Sequence, residues 1–445
     1  MLGCTYGTMF QTTVAGGSYQ EGLTTLLQGV PPGMLITEAE IYEALLTRKP
    51  GQSALASPRR EADVPVIYTG VNAADTRPGF KHDGMTTGSP LTILIPHVDR
   101  HFEHIEQYQV TNRTPRPGHA SYATYQKYGE WDDSIGAGFF SGRYTSTIVA
   151  AGAVARRVLK EHGIEVFSYV KEAAGVRAAD MDPAEAQAKV DKFREVRRDY
   201  DPVYDWIFSQ GRIKPGMRFL AKMAVIAELE AGLLDIRETK KKVDFEEIKN
   251  EHGIHFTMNC PDVDAAFAME KRILDICREG DSSGGIVEVV ATGLPAGMGE
   301  PVFNKIDGEL GRMMSIGTVK AVEVGAGYAV KDMRGSECND ALRVDDDKHP
   351  FFKTNNAGGM TGGVTTGQPL VARLAIKPTP TIAKDQDTID KVSLENKVLS
   401  AVTRRDPTIV ARVWPVAEAF VAMIVLDQLM LHKGYQAMFA HKREK

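Results

Sequence analysis

The stretch PVAEAFVAMIVLDQLMLHK, from Pro415 onward, limits most strongly what this chain can become. Its core, Ala419 to Leu426, is apolar on every side, and a helix without a polar face has to be covered all round. The run is too short to cross a bilayer and is bounded by Glu418 and Asp427, so it reads as a helix buried in protein. Pro415 is expected to open it, in the first turn, where a missing N–H costs nothing. A second helical pattern, Thr145 to Leu159, carries Ala150, Ala151, Gly152 and Ala153, which are small enough for close packing against another element. With 445 residues the chain is too long for one small core, and one large core or two intimately packed layers are expected.

Charge and cysteine usage narrow the possible partners. A net charge of −5 makes no electrostatic case for nucleic acid, so any anion site must be a local cluster of arginines. Cys4, Cys260, Cys277 and Cys338 have neither metal nor disulfide spacing, which fits a reducing cytoplasm. The opening MLGCTYGTMFQTT lacks a basic region followed by an apolar run, so neither a secretion signal nor a membrane partner is expected.

Local signals place several elements. Gly16, Gly17 and Gly22 around Ser18 and Tyr19 suggest two strands joined by a turn. Thr37 and Glu40 make a capping box, and the helix that follows ends at Arg48, Lys49 and Pro50-Gly51, where cations suit its dipole. TILIP, 92–96, reads as a short buried strand. After it, His97, His101 and His104 share a helical spacing that zinc can use, but Arg100 among them and Pro96 before them favour a solvated turn, so no metal is expected. From about 182 to 253 charge rises and long helical patterns dominate, a helical excursion within a single domain spanning 1–445. A further helix follows near Cys260 to Glu279, and GGIVEVVATGLP returns to strand chemistry.

The chemistry concentrates in RPGHASYATYQKYGEWDDSIGAGFFSGR, from Arg116 to Arg143. His119 sits in a Pro-Gly turn that can present an imidazole to a cleft, with Arg116 and Arg143 nearby in sequence to grip a small acidic ligand. The glycine-rich NNAGGMTGGVTTGQP, 355–369, matches neither the dinucleotide nor the phosphate-loop pattern. It is either a pair of tight turns or a set of backbone N–H groups open to a planar or anionic ligand. Lys377, Thr379 and Thr381 on a proline-stiffened segment suit a phosphate.

Taken in order, these stretches resemble the chorismate synthase family over nearly the whole chain. GVPPGM (29–34), RKPGQS (48–53), SPRREAD (57–63), RPGHASYATYQKYG (116–129), VAAGAVARR (149–157), PAGMGEPVFNKIDGEL (295–310), RGSECND (334–340), the glycine-rich loop, IKPTPT (376–381) and RRDPT (404–408) through WPVAEA carry the resemblance. It implies an α+β fold, a β-α-β sandwich with helices packed between antiparallel sheets, and a cytoplasmic homotetramer. It also implies a lyase of the shikimate pathway, serving aromatic amino acid biosynthesis, that uses reduced FMN to eliminate phosphate from 5-enolpyruvylshikimate 3-phosphate (EPSP) and form chorismate. By the same resemblance His119 acts on the reduced flavin and Asp406 assists removal of the ring proton. Arg48, Arg116, Arg143 and Arg404 clamp the charged groups, Ser141 and Gly142 line the flavin, and Lys377, Thr379 and Thr381 hold FMN.

The departures from the family pattern are specific. The family's Gly-Glu-Ser-His-Gly signature is here Gly16-Gly17-Ser18-Tyr19-Gln20, so Tyr19 stands where a histidine near the departing phosphate is expected. Ala54 replaces an arginine, Gly136-Ala137-Gly138-Phe139 replaces Gly-Gly-Gly-Arg, and Gly317-Thr318 replaces Asn-Ala. A phenol titrating near 10 does not carry charge at neutral pH as an imidazole can. These changes favour a less charged ligand, which keeps two alternatives open: a paralogue eliminating another group from a less charged cyclohexene carboxylate, and a non-catalytic flavin-binding homologue. Retention of Arg48, Arg116, His119, Arg143 and Asp406 counts against the second, because clustered like charges are costly to keep without a ligand.

Overall fold

The computed structural model describes residues 2–51, 55, 62–73, 83–97, 113–132, 135–232, 236, 243–401 and 405–443. The first sheet is antiparallel and holds β1 (Thr5–Tyr6), β2 (Gln11–Gly16), β3 (Gly22–Gln28), β4 (Val66–Thr69) and β5 (Leu91–Pro96), in the order β1-β2-β3-β5-β4. A second antiparallel sheet holds β6 (Glu165–Ala173), β7 (Val176–Arg177), β8 (Gly285–Thr292), β9 (Val319–Val324) and β10 (Leu370–Ile376), in the order β7-β6-β8-β10-β9. Between them lie α3 (Thr145–Lys160) and α8 (Val410–Arg443), with α1 (Glu38–Leu46) packed on α3, while α2 (Ser121–Tyr128) stands in the loop region before α3. The expected α+β sandwich is therefore the observed one.

Sequence dictates this layering locally. Thr37 and Glu40 cap α1 reciprocally as the box requires. Alternation along β3 and β5 turns Leu23, Leu27, Leu91, Ile93 and Ile95 into the core. On β6, Val166 and Val170 join the central core while Phe167 and Tyr169 face the opposite side. There they meet Ala186 and Val190 of α4 (Pro183–Asp199). Gly152 of α3 lies against α8 so closely that a Cβ there would stand 2.2 Å from the Cβ of Ala419. The expected close packing of small residues is thus the contact between the two central helices.

Helix α8 has the length and hydropathy of a membrane span, yet its most apolar window is 94% buried in protein. Its two internal carboxylates are matched. Glu418 meets Arg156 at 2.8 Å and Arg194 at 2.5 Å, and Asp427 accepts backbone N–H bonds from Thr8, Met9 and Phe10. One expectation fails: Pro415 lies inside the helix instead of opening it. The start is set earlier, where Thr408 Oγ1 accepts from the Val410 N–H at 3.2 Å and Ile409 accepts from Val413. Proline survives there because it falls within the first two turns of a helix held by packing.

Among the described residues between 182 and 253 lie the helices α4, α5 (Phe219–Ala231) and α6 (Phe245–His252); α7 (Val263–Arg278) follows. The excursion folds back on the body: Val203, Ile207, Ile226 and Leu229 pack with Tyr42 and Leu46 of α1 and Val66 of β4. Lys49 reaches Asp201 at 2.5 Å, and Lys222 pairs with Glu38.

Candidate functional site

Helix α1 ends by delivering Arg48 into the interior, where the residue is 2% exposed. Its Nη2 donates to Asp63 Oδ2 at 2.7 Å, and its Nη1 donates to Gly142 O and Thr145 Oγ1, each at 3.2 Å. Compensation of the helix dipole therefore does not account for this residue. Asp63 holds a left-handed backbone, φ +52°, just before β4. Burial alone would raise its carboxyl pKa, but Arg48 and Arg143, with His97, hold it below the usual carboxylate range.

Arg143 comes from the short turn before α3 and donates from Nη1 to Ser18 O at 3.0 Å. The N–H of Ser18 in turn donates to Gly138 O at 3.2 Å. Tyr19 lies half-buried in the turn stitched down by these bonds. Ser141 Oγ caps the Arg143 N–H, and Gly142 contributes its carbonyl to Arg48. Nearby, Phe139 stacks on Tyr144 at 5.8 Å. The Tyr144 hydroxyl donates to Ser315 O, and burial raises its pKa.

A second cluster forms around the Arg116–His119 turn. Gly118 takes φ +70° there, which a side chain would resist, and its carbonyl accepts from Lys377 Nζ. Arg116 Nη2 lies 3.4 Å from His119 Nε2; because guanidinium only donates, Nε2 accepts and Nδ1 carries the proton. That Nδ1 is buried without a hydrogen-bond partner. Burial, then Arg116 and Lys377, push the His119 pKa down to about 4. The Lys377 N–H donates to Thr318 O at 3.0 Å, and Thr318 Oγ1 is likewise buried without a partner.

A bridge joins the clusters. Thr379 Oγ1 donates to the backbone carbonyl of Asp406 at 2.8 Å. The Asp406 carboxylate faces Arg412 at 3.6 Å, and Arg412 Nε donates to Arg48 O at 3.0 Å. The structure thus gathers Arg48, Arg143, Ser141, Gly142 and Tyr19 on one side and Arg116, His119, Lys377, Thr379 and Asp406 on the other. Thr381 follows, half-buried, on the same extended segment. Arg404, Ala54, His101 and His104 lie outside the described residues. His97 is buried at the end of β5 rather than in a solvated turn, and no group of three potential metal ligands occurs among the described residues.

The ligand-facing reading of the glycine-rich loop is not supported. Asp340 accepts the N–H groups of Asn356 and Ala357, and Asn355 Oδ1 accepts that of Gly359. Added Cβ atoms at Gly358 and Gly359 would strike Gly325 and Pro369. These glycines permit close packing, with their neighbouring N–H groups already engaged.

A family model described as chorismate synthase matches residues 10–430. The chain belongs to the chorismate synthase family. A chorismate synthase of Acetivibrio thermocellus is 35% identical over 454 residues, covering 98% of this chain and 97% of that one. One from Methanocella arvoryzae is 36% identical over 431 residues, with 97% and 95% covered. One from Methanocaldococcus jannaschii is 34% identical over 433 residues, with 97% of each covered. A crystal structure of chorismate synthase superposes with TM-score 0.61 at 24% identity over 96% of this chain and 93% of that one, which establishes the fold. The family is one of lyases in aromatic biosynthesis.

Sequence reasoning assigned no role to Asp63, His97 or Arg412. Asp63 closes the matching stretch SPRREAD, a carboxylate after two arginines, which was a usable signal. Arg412, in an otherwise apolar helix start, was a weaker one.

Proposed function

We propose that the chain catalyses the family reaction, the 1,4-elimination of phosphate from EPSP to give chorismate, with reduced FMN. The observation that carries this is the meeting of two cationic clusters through Asp406 and Arg412, with buried polar atoms left unpaired in both. A trianionic ligand needs such fixed cations, and unpaired buried donors are costly unless a ligand meets them.

The residues fit FMN. His119 Nδ1 and Thr318 Oγ1 are buried and unpartnered beside Lys377, and with Ser141, Gly142, Thr379, Thr381 and Arg404 they would hold the cofactor. When bound, the reduced flavin supplies transient electron density to the ring that loses phosphate. Arg48, Arg116 and Arg143 would hold the substrate's anionic groups. Asp406 would accept the ring proton, with Arg412 fixing its carboxylate. His119, kept neutral by its surroundings, would donate from Nδ1 to the flavin.

One observation favours a diverged substrate: Phe139 stacks on Tyr144 where the family pattern has a cation, making that wall apolar. The proposal extends to a single domain, a cytoplasmic setting, in keeping with four free cysteines, and a homotetramer on the strength of the family resemblance. The deciding experiment is anaerobic chorismate formation from EPSP with reduced FMN. Turnover supports the family reaction, whereas flavin binding without turnover of EPSP supports the diverged reading. No saturable spectral change up to millimolar reduced FMN would remove both.

A further inference from the structure

His97 is tied to the turn that carries Tyr19, and half of its imidazole is unused. Pairing of Gly22 with Pro96 across β3 and β5 sets it beside Glu21, whose carbonyl accepts the His97 N–H at 3.0 Å. Its ring Nδ1 bonds the carbonyl of Gln20 at 3.1 Å. A carbonyl only accepts, so Nδ1 carries the proton and Nε2 keeps its lone pair. That Nε2 is buried without a partner in a residue 5% exposed, and so is Ser18 Oγ in the same turn, in a residue 1% exposed. Charged groups acting on this imidazole are Arg143 from the turn before α3, Asp63 from the approach to β4 and Arg48 from the end of α1. Two cations against one carboxylate leave the place receptive to an anion. Leaving a buried acceptor unmet is costly, and a ligand carrying a hydroxyl proton would recover that cost.

We propose that Nε2 of His97 hydrogen-bonds the phosphate eliminated in the reaction and returns to it the proton with which it departs. This rests on the elimination proposed above. In that step the carbon–oxygen bond breaks and its electron pair goes to the phosphate oxygen. A phosphate ester bound as its dianion would then leave as a trianion unless a proton reached it. Free His97 cannot donate from Nε2, because its one N–H is committed to Gln20. The proton enters with the substrate, since a phosphate monoester has its second ionisation near pH 6 and reaches the site in part as the monoanion. It is shared between a phosphate oxygen and Nε2 while substrate is bound. As the bond breaks it passes to the phosphate, which leaves as hydrogen phosphate dianion, and the imidazole returns to its neutral form. Burial and Arg143 keep the free imidazole neutral, with a pKa lowered to about 4. The incoming anion opposes both effects.

His97→Asn tests this, because an asparagine amide N–H stands where Nδ1–H stood, keeping the bond to Gln20 while deleting Nε2. The first measurement follows 15N-histidine resonances of the full-length parent during titration with inorganic phosphate, with His97 assigned by its loss in the variant. The expected result is a saturable shift of Nε2 toward the imidazolium position; an unmoved resonance at saturating phosphate overturns the proposal. The second compares chorismate formation from EPSP. His97→Asn should lower kcat about a hundredfold, with KM changed far less, and Tyr19→His in that background should restore part of it. A His97→Asn variant that turns over like the parent also overturns the proposal. If the parent makes no chorismate, the elimination reading falls and the phosphate titration alone decides for His97. If His97→Asn fails to fold, His97→Gln supplies the assignment and the same titration decides.

Discussion

Asp63→Asn isolates charge in the buried cluster. Asparagine keeps the shape of the side chain and tolerates the left-handed backbone at this position, φ +52°, so strain is not added. What changes is the carboxylate that meets Arg48 at 2.7 Å, with both side chains 3% exposed, and that also offsets Arg143. Breaking such a pair from one side leaves buried positive charge uncompensated and costs about 3–5 kcal/mol. An anion can supply the missing charge. If the variant binds phosphate tenfold more tightly than the parent, phosphate at ten times the parent Kd stabilises the parent by about 1.4 kcal/mol and the variant by about 2.7 kcal/mol. Urea unfolding at fixed ionic strength, with and without phosphate, measures both quantities. Equal midpoints for parent and variant, or a phosphate effect larger in the parent, would refute the reasoning. Lowering pH provides a check with a defined sign. The folded pKa of Asp63 is depressed, so its stabilisation is present above the unfolded value near 3.9 and disappears as pH falls from there through the folded pKa.

His119→Ala and Asp406→Ala should each reduce chorismate formation by about a hundredfold or more while leaving the unfolding midpoint within a few tenths molar urea; parent-like turnover by either would cancel its role. His97 and His119, both lowered to about 4 in the folded state, stay neutral while their unfolded counterparts take up protons below about 6.5. Stability should therefore fall as pH drops from about 6.5 to about 4, and His119→Asn should flatten that slope by up to one proton in urea titrations across the window. Gly152→Ala should destabilise by about 3 kcal/mol despite the better helix propensity of alanine, because its Cβ would lie 2.2 Å from that of Ala419. Ala419→Gly in the same chain should recover part of the loss; a Gly152→Ala melt matching the parent would contradict the crossing of α3 and α8.

Much of the scaffold was legible because its signals are local. The box at Thr37 and Glu40, the small residues of α3 and the alternating strand before His97 each specify themselves within one or two turns of chain. The features that local reading left open or misplaced depend on distant partners. Arg48 at a helix end looks like dipole compensation until Asp63 arrives beside it from before β4. Pro415 looks like a first-turn residue because nothing nearby shows that Thr408 begins the helix. The glycine-rich loop looks open until Asp340 is found holding its N–H groups.

The same distinction governs how the site's departures should be judged. Loss of a histidine at Tyr19 can be read from four neighbouring residues, whereas a replacement for it cannot, because the candidate lies far along the chain. Its placement depends on strand register: β3 and β5 pair Gly22 with Pro96, and that pairing carries His97 alongside the turn. A slip by one residue would turn alternate side chains to the other face and carry His97 away from the turn. The buried side chains of β5 oppose such a slip, since it would turn Leu91, Ile93 and Ile95 out of the core together. Core packing that carries no chemistry thus fixes which imidazole meets the turn, and a substitution that looks disabling in the motif has to be weighed against what the neighbouring strand delivers.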